Sequence, residues 1–273
     1  MSKKILLVTD SVSYGKLGMS AQVPVLSRMG YDVYNLPTAL VSNNFGYPDY
    51  EMLLTTAYMK RSVEIWQAQG FSFDAISIGF VATGEQAGII RDLVEFNKKK
   101  NPDLIVTLDP IMGDDGQLYH GLGEENVNAL QSVCKFADVI TPNFTEACFL
   151  ADMLKGKTSV SEDEAKSLAE KLHNDFSTEC VITSTKVGNK NAIETYTKDA
   201  CELSFYEEVP VAFSGTGDFF SAYFLGTLLK GVPIVKAAEE AGKFVKDLVA
   251  KYAGQEDKLV GIAVEEYLQE MNM

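Results

Sequence analysis

An α/β fold with a doubly wound, mainly parallel central sheet and helices on both faces is what this sequence predicts. Three observations carry the prediction. Short apolar runs alternate with longer amphipathic stretches, the signature of βαβ units. Several of those runs are apolar at every position, as strands are when helices cover both faces of their sheet. Polar residues with chemical uses recur directly after the runs, where ligands bind in open parallel sheets.

Taken in order, the runs at 5–8 (ILLV), 33–36 (VYNL), 75–78 (AISI), 104–108 (LIVTL), 138–140 (DVI) and 181–183 (VIT) read as strands. Between them the periodicity predicts helices near 18–29, 50–69, 84–99, 123–136, 145–154 and 161–176. The stretch near 190–208 reads differently, as a small β-hairpin turning at Lys198-Asp199. Helices at about 216–230, 233–252 and 263–271 complete the chain. With no repeat, low-complexity tract or linker, residues 1–273 are expected to form a single domain.

Composition narrows function. The 273 residues are 46% hydrophobic and 23% charged, ordinary values for a globular chain. A formal net charge of −14 argues against a nucleic-acid binder, which needs clustered Lys and Arg. It leaves room for a small anion, because backbone amides and Mg²⁺ can neutralise phosphates locally. Cys134, Cys148, Cys180 and Cys201 lack C-x-x-C spacing and read as reduced thiols of a cytosolic protein. Two histidines, His120 and His173, give little material for a His-rich zinc site or a Ser-His-Asp triad. The apolar run in "MSKKILLVTD" is too short for a signal peptide or a membrane span. The expectation is a cytoplasmic protein with no membrane partner.

The sharpest local signal is "VAFSGTGDFFSAY", residues 211–223, where two glycines bracket Thr216 and Asp218 follows at the mouth of a helix. A helix start offers free N–H groups and the positive end of a dipole, which bind anions. Gly215 and Gly217 let the backbone turn sharply and approach a ligand closely. A carboxylate there would be repelled by a bound phosphate unless it had separate work, such as taking a proton from an attacking hydroxyl. The plainer alternative is an acidic first-turn residue that only stabilises its helix.

Two further loops bear on that choice. "DPIMGDDG" supplies Asp109, Asp114 and Asp115, and "TPNFTEA" supplies Thr141, Asn143 and Glu146. Alone, the first could be a solvated acidic turn, and Asn143 or Thr145 could simply cap the next helix. Together they offer oxygen ligands suited to hydrated Mg²⁺ on a nucleotide. Acidic loops plus a glycine-rich helix start make a phosphoryl-transfer constellation.

The order and spacing of these segments resemble the ribokinase superfamily, and within it the pyridoxal kinase branch. The resemblance runs over essentially the whole chain: "DSVSYGKLG" at 10–18, "PVLSRMGYDVYNLPT" at 24–38, "SNNFGY" at 42–47, "GFVATGEQ" at 79–86, "DPIMGDDG" at 109–116, "TPNFTEA" at 141–147, "VITST" at 181–185 and "GTGD" at 215–218. It implies an ATP-dependent kinase that phosphorylates the 5′-hydroxymethyl group of a B6 vitamer, and a homodimer. By this resemblance Asp218 is the catalytic base, and Gly215, Thr216 and Gly217 form the anion hole. Asp114 and Glu146 would organise Mg²⁺, partly through water. Asp109, Thr141, Asn143, Thr183 and Thr216 would line the region for ATP and a monovalent cation (K⁺).

The resemblance also implies substrate contacts at Asp10, Leu17, Ser42, Asn44, Phe45 and Phe80, and here this chain departs from the family. The family usually has Ser at Asp10, Asn at Met19, His and Thr at Asn44 and Phe45, and Tyr at Phe80. Asp10 therefore either reads a charge on the substrate or turns away to pair with a neighbour such as Lys16. Rival readings are a hydroxymethylpyrimidine kinase of the same fold and a vitamin- or nucleotide-binding protein without turnover. A Walker-type ATPase is excluded, since Glu85 stands where "GFVATGEQ" would need Lys.

Overall fold

The computed structural model describes residues 2–271. Its centre is a nine-stranded sheet made of β1 (Lys4–Tyr14), β2 (Asp32–Asn43), β3 (Met52–Leu54), β4 (Ala75–Ile78), β5 (Ile105–Leu108), β8 (Val139–Ile140), β9 (Glu179–Val187), β10 (Lys190–Tyr196) and β11 (Cys201–Tyr206). The spatial order is β11-β10-β9-β8-β5-β4-β1-β2-β3. The six strands from β9 to β2 are parallel, and antiparallel strands close both edges. β6 (Gly113–Asp114) and β7 (Gln117–Leu118) form a separate ribbon.

The helices divide between the two faces as a doubly wound sheet requires. Helices α2 (Thr56–Gln69), α3 (Gly84–Lys100), α4 (Glu124–Cys134), α5 (Phe144–Ala151) and α6 (Glu162–Phe176) cover one face. There Leu6, Val8, Ile76, Ile78, Val106 and Leu108 pack with Met59, Ile90, Leu130 and Leu168. Helices α1 (Met19–Arg28), α7 (Thr216–Leu228), α8 (Ile234–Tyr252) and α9 (Val264–Glu270) cover the other. Ile5, Leu7, Val139 and Val181 point that way, onto Leu26, Phe219, Phe224 and Phe244. Adjacent residues on one strand thus feed opposite cores, which is why the runs lack polar alternation.

Three departures from the sequence expectation have physical causes. Residues 52–54, expected inside a helix, form β3 instead, because Met52, Leu53 and Leu54 pair with Val41, Leu40 and Ala39 of β2. Tertiary pairing overrides the helix preference of Met and Leu. β1 continues to Tyr14 rather than ending at Val8, so Asp10 lies within the strand and not after it. The β1–β2 register shifts between Thr9 and Ser11, and Asp10 sits at that irregularity, a device that re-aims a side chain. Finally, the glycine turn does not follow a strand as the other polar segments are expected to: residues 209–213 are irregular, and Pro210 has no N–H to give to a ladder. The hairpin expected at 190–208 is present as β10–β11.

Candidate active site

At the turn before α7, Gly215 has φ 85°, and a Cβ there would lie 2.8 Å from the Lys16 carbonyl. Only glycine allows both the backbone angle and that contact. The first hydrogen bond of α7 runs from Phe219 N–H to the Gly215 carbonyl at 3.2 Å. The N–H groups of Thr216, Gly217 and Asp218 precede it and lie outside the helical ladder, a cradle for an anion. The Thr216 hydroxyl donates to the Phe213 carbonyl at 3.4 Å.

Asp218 is buried on the first turn of α7, and its carboxylate is held from across the site. Gly18 N–H donates to Oδ2 at 2.9 Å and Gln22 Nε2 donates to Oδ1 at 3.0 Å. Gly18 is the N-cap of α1, so the positive ends of two helices meet at one carboxylate. Gly18 also has φ 53°, and a Cβ there would lie 2.9 and 3.0 Å from the Asp10 carboxylate oxygens. Asp10 and Asp218 therefore approach the same glycine, one against its Cα and the other on its N–H. Asp10 accepts from the Thr9 hydroxyl at 3.0 Å, and Asp109 accepts from Ser221 at 2.9 Å.

These three carboxylates crowd one buried space, and all titrate high. Burial, then the charges of Asp10 and Asp109, pushes Asp218 up to about 7. Burial also raises Asp109, with Asp10 adding to the rise, and burial raises Asp10 itself. The bonds from Gln22 and Gly18 work in the opposite direction, favouring the ionised form of Asp218.

The acidic loops lie beside this centre. Glu146 is buried and already engaged, accepting from Met112 N–H at 3.1 Å and from Asn143 N–H at 2.9 Å. With Asn143 Oδ1 accepting from Glu146 N–H at 2.9 Å, the pair forms the capping box of α5. Asn143 Nδ2 also donates to the Gly113 carbonyl at 2.8 Å, tying the two loops together. The capping alternative therefore holds for Asn143, with Glu146 as its partner in the box. Burial, then Asp109, drives the Glu146 carboxyl well above its usual range. Asp114 is exposed, with one oxygen taken by Asp115 N–H at 2.9 Å. Thr141 is buried after β8, its hydroxyl 3.4 Å from Ser221, and Thr183 N–H donates to the Pro142 carbonyl at 2.9 Å.

Among the residues expected to touch substrate, Phe80 forms a small apolar cluster with Val12, Val41 and Ala82, against which Leu17 and Phe45 pack. The Phe45 ring lies 6.1 Å from Phe80, 4.7 Å from Tyr50 and 6.5 Å from Tyr119. Ser42 and Asn44 are occupied otherwise. Ser42 donates to Asn43 and accepts from Glu51 N–H, while Asn44 bonds the Leu259 carbonyl and Gly46 N–H. They shape the loop that carries Phe45.

Sequence reasoning passed over Gly18, Gln22, Ser221 and Tyr119. Tyr119 sits between the aromatic cluster and the acids; burial first, then Glu146, Asp114, Asp109 and Asp218, holds its phenol above the ordinary range. Gly18 carried a usable signal, a glycine immediately before an apolar-periodic run. The others carried none, being ordinary residues until the fold brings them to the acids.

A doubly wound sheet with an anion cradle and a buried aspartate at the strands' C-terminal edge defines an ATP-dependent kinase of ribokinase-like fold. The model of the phosphomethylpyrimidine kinase family matches residues 13–261, and the chain belongs to that family. The pyridoxal kinase of Arabidopsis thaliana is 27% identical over 232 residues, covering 82% of this chain and 73% of its own. The crystal structure of pyridoxal kinase from Lactobacillus plantarum has TM-score 0.88 and 26% identity, covering 98% of this chain and 95% of that one. A Bacteroides thetaiotaomicron structure, described as a candidate phosphomethylpyrimidine kinase in a form with pyridoxal, has TM-score 0.90 and 29% identity. It covers 100% of this chain and 96% of its own.

Proposed function

We propose that this protein transfers the γ-phosphoryl group of ATP to the 5′-hydroxymethyl group of a B6 vitamer. The observation that carries the reading is the buried Asp218 carboxylate, set beside the α7 cradle with an apolar cluster of Phe80, Phe45 and Leu17 nearby. The γ-phosphate sits over the N–H groups of Thr216, Gly217 and Asp218. The vitamer ring rests against Phe80, Phe45 and Leu17. Asp218 takes the hydroxyl proton as that oxygen attacks phosphorus in line, and the bond to ADP breaks. Positioning and charge neutralisation supply most of the acceleration.

The donor set suits Mg²⁺. Carboxylate oxygens are hard ligands, and Mg²⁺ keeps several waters while nucleotide phosphates complete its shell. Asp114 would hold the ion and Glu146, its oxygens already engaged, would order its water; the ion supplies charge neutralisation on the phosphates. We assign Asp109, Thr141, Asn143 and Thr183 to the ATP side, with K⁺ as the monovalent cation near Asp109. Residues 1–273 act as one domain. A homodimer is supported by the exposed cross-strand pair Leu40 and Leu53 on the β2–β3 edge. Among the described residues no helix is long and apolar enough to cross a membrane, and we place the enzyme in the cytoplasm.

The test is a coupled ADP-release screen of pyridoxal, pyridoxamine, pyridoxine and hydroxymethylpyrimidine. Turnover with B6 vitamers supports the reading. Turnover with hydroxymethylpyrimidine alone, the reading suggested by the family's name, would replace it, and no ADP release with any acceptor would leave a binding protein.

A further inference from the structure

Gln22 is almost completely buried on α1, one turn after Gly18, and among the described residues its side chain has one hydrogen-bond partner, Asp218. Its Nε2 donates to Oδ1 at 3.0 Å, while its Oε1 has no hydrogen-bond partner. That amide orientation follows from charge, because turning the amide would set its oxygen against a carboxylate. Gln86, the other fully buried glutamine of a first helical turn, behaves differently. Its oxygen accepts from Ala82 N–H at 2.9 Å and its nitrogen donates to the Thr38 carbonyl at 2.7 Å, fastening α3 to β2. Gln86 is a structural tie with both arms in use. Gln22 spends one arm on Asp218 and leaves the other orphaned, an arrangement that lowers stability relative to an apolar side chain of the same shape.

We infer that Gln22 is a positioning residue for phosphoryl transfer: with Gly18 N–H it fixes the orientation of the Asp218 carboxylate and keeps it ionised among like charges. The inference rests on Asp218 being the base. The two oxygens are each held by one donor, Gly18 N–H on Oδ2 and Gln22 Nε2 on Oδ1, so the carboxylate cannot rotate without losing one. Lone pairs remain on both oxygens to accept the substrate hydroxyl. The groups facing Asp218 from other elements are Asp10 on β1, Asp109 after β5 and Tyr119 after β7, and none of them donates to it. Of the side chains, only Gln22 opposes the upward pull on its pKa.

The experiment compares native enzyme, Gln22→Met and Gln22→Glu, with Asp218→Asn run in parallel. Methionine keeps the length and removes both the donor and the orphaned acceptor, so the variant should fold at least as well; thermal unfolding checks this. Gln22→Met should lower kcat roughly tenfold, leave KM for MgATP unchanged, and move the acidic limb of the kcat/KM profile upward by about one pH unit. Gln22→Glu keeps the shape and adds a like charge, so its limb should move further in the same direction. An unmoved limb in both variants, or a loss of rate that follows a fall in Tm alone, overturns the inference. Failure of the underlying reading looks different, since near-normal turnover in Asp218→Asn removes the base itself. Inactive Asp218→Asn beside unaffected Gln22 variants rejects the role of Gln22 alone.

Discussion

Lys16 is ion-paired with Glu265 of α9 and not with Asp10. The backbone of Lys16 is pinned as well: its carbonyl would meet a Cβ at Gly215 at 2.8 Å and one at Gly261 at 2.6 Å. The loop between β1 and α1 is thereby fastened to both the glycine turn before α7 and the C-terminal segment. Its one cation is spent at the periphery. Asp10 makes no ion pair among the described residues, and its carboxyl group remains beside Asp109 and Asp218 with no cation to neutralise any charge it carries.

That leftover charge should be felt by substrate. A cationic group on the ring or its aminomethyl arm would be favoured by an ionised carboxylate a few ångströms away. Replacing Asp10 by Ser should lower the ratio of catalytic efficiencies for pyridoxamine over pyridoxal several-fold. It should also move the acidic limb of the pH profile downward, because Asp10 raises Asp218. Steady-state kinetics with both vitamers across pH measures the two effects together; a ratio and a limb that both stay put would mean that Asp10 is neutral in the working enzyme.

Asp218 itself sets the strongest expectation. With its carboxyl pushed up to about 7, Asp218 is protonated at lower pH, and the proposed base would then be idle. The kcat/KM of native enzyme should therefore fall as pH drops through about 7. Asp218→Asn should reduce turnover by roughly 10²–10⁴-fold while MgADP still binds. Calorimetry with MgADP beside the turnover assay separates lost chemistry from lost binding, and near-normal turnover returns Asp218 to the role of a helix-stabilising acid.

The two acids proposed to hold Mg²⁺ should separate in their side effects. Asp114 is exposed and bonded only to its neighbour, so Asp114→Ala should raise the Mg²⁺ concentration for half-maximal rate without changing Tm. Glu146 closes a capping box and receives Met112 N–H, so Glu146→Ala should raise the Mg²⁺ requirement and lower stability by about 1 kcal/mol or more. Mg²⁺ titrations and thermal unfolding of both variants decide it. Unchanged titrations would mean that the cation is held elsewhere.

Much of this was legible because it is periodic or covalently local. Strands at 75–78 and 104–108 show their burial on both faces in their composition, and "GTGD" announces a glycine turn at a helix start. What stayed hidden depends on neighbours remote in sequence. Met52, Leu53 and Leu54 become a strand only because β2 offers them an edge. Gln22 meets Asp218 across 196 positions, and nothing in "GMSAQVPVL" marks the glutamine. Asp10 was visible as a departure from its family, but that Lys16 pairs with Glu265, 249 residues further on, was not.

Away from the acids, Glu194 on β10 should make the stability of the fold depend on pH. Its side chain is buried; Oε1 faces the Cys201 thiol at 4.0 Å, and Oε2 has no hydrogen-bond partner. The Thr185 hydroxyl moderates the charge slightly without forming a full hydrogen bond. Burial pushes this carboxyl up to about 7 from an ordinary 4.5. Between those values the folded chain holds a proton that the unfolded chain has released. Stability contributed here is thus fully present below about pH 4.5, falls as pH rises, and is lost above about 7. The whole effect is on the order of 3 kcal/mol. Glu194→Gln abolishes the titration, although its amide leaves buried donors unsatisfied at every pH. The readout is therefore the change with pH and not the absolute value: urea unfolding should show the variant gaining about 2.5 kcal/mol on native protein between pH 5 and pH 8. A gap that stays constant across that range would show that Glu194 remains ionised within the folded sheet.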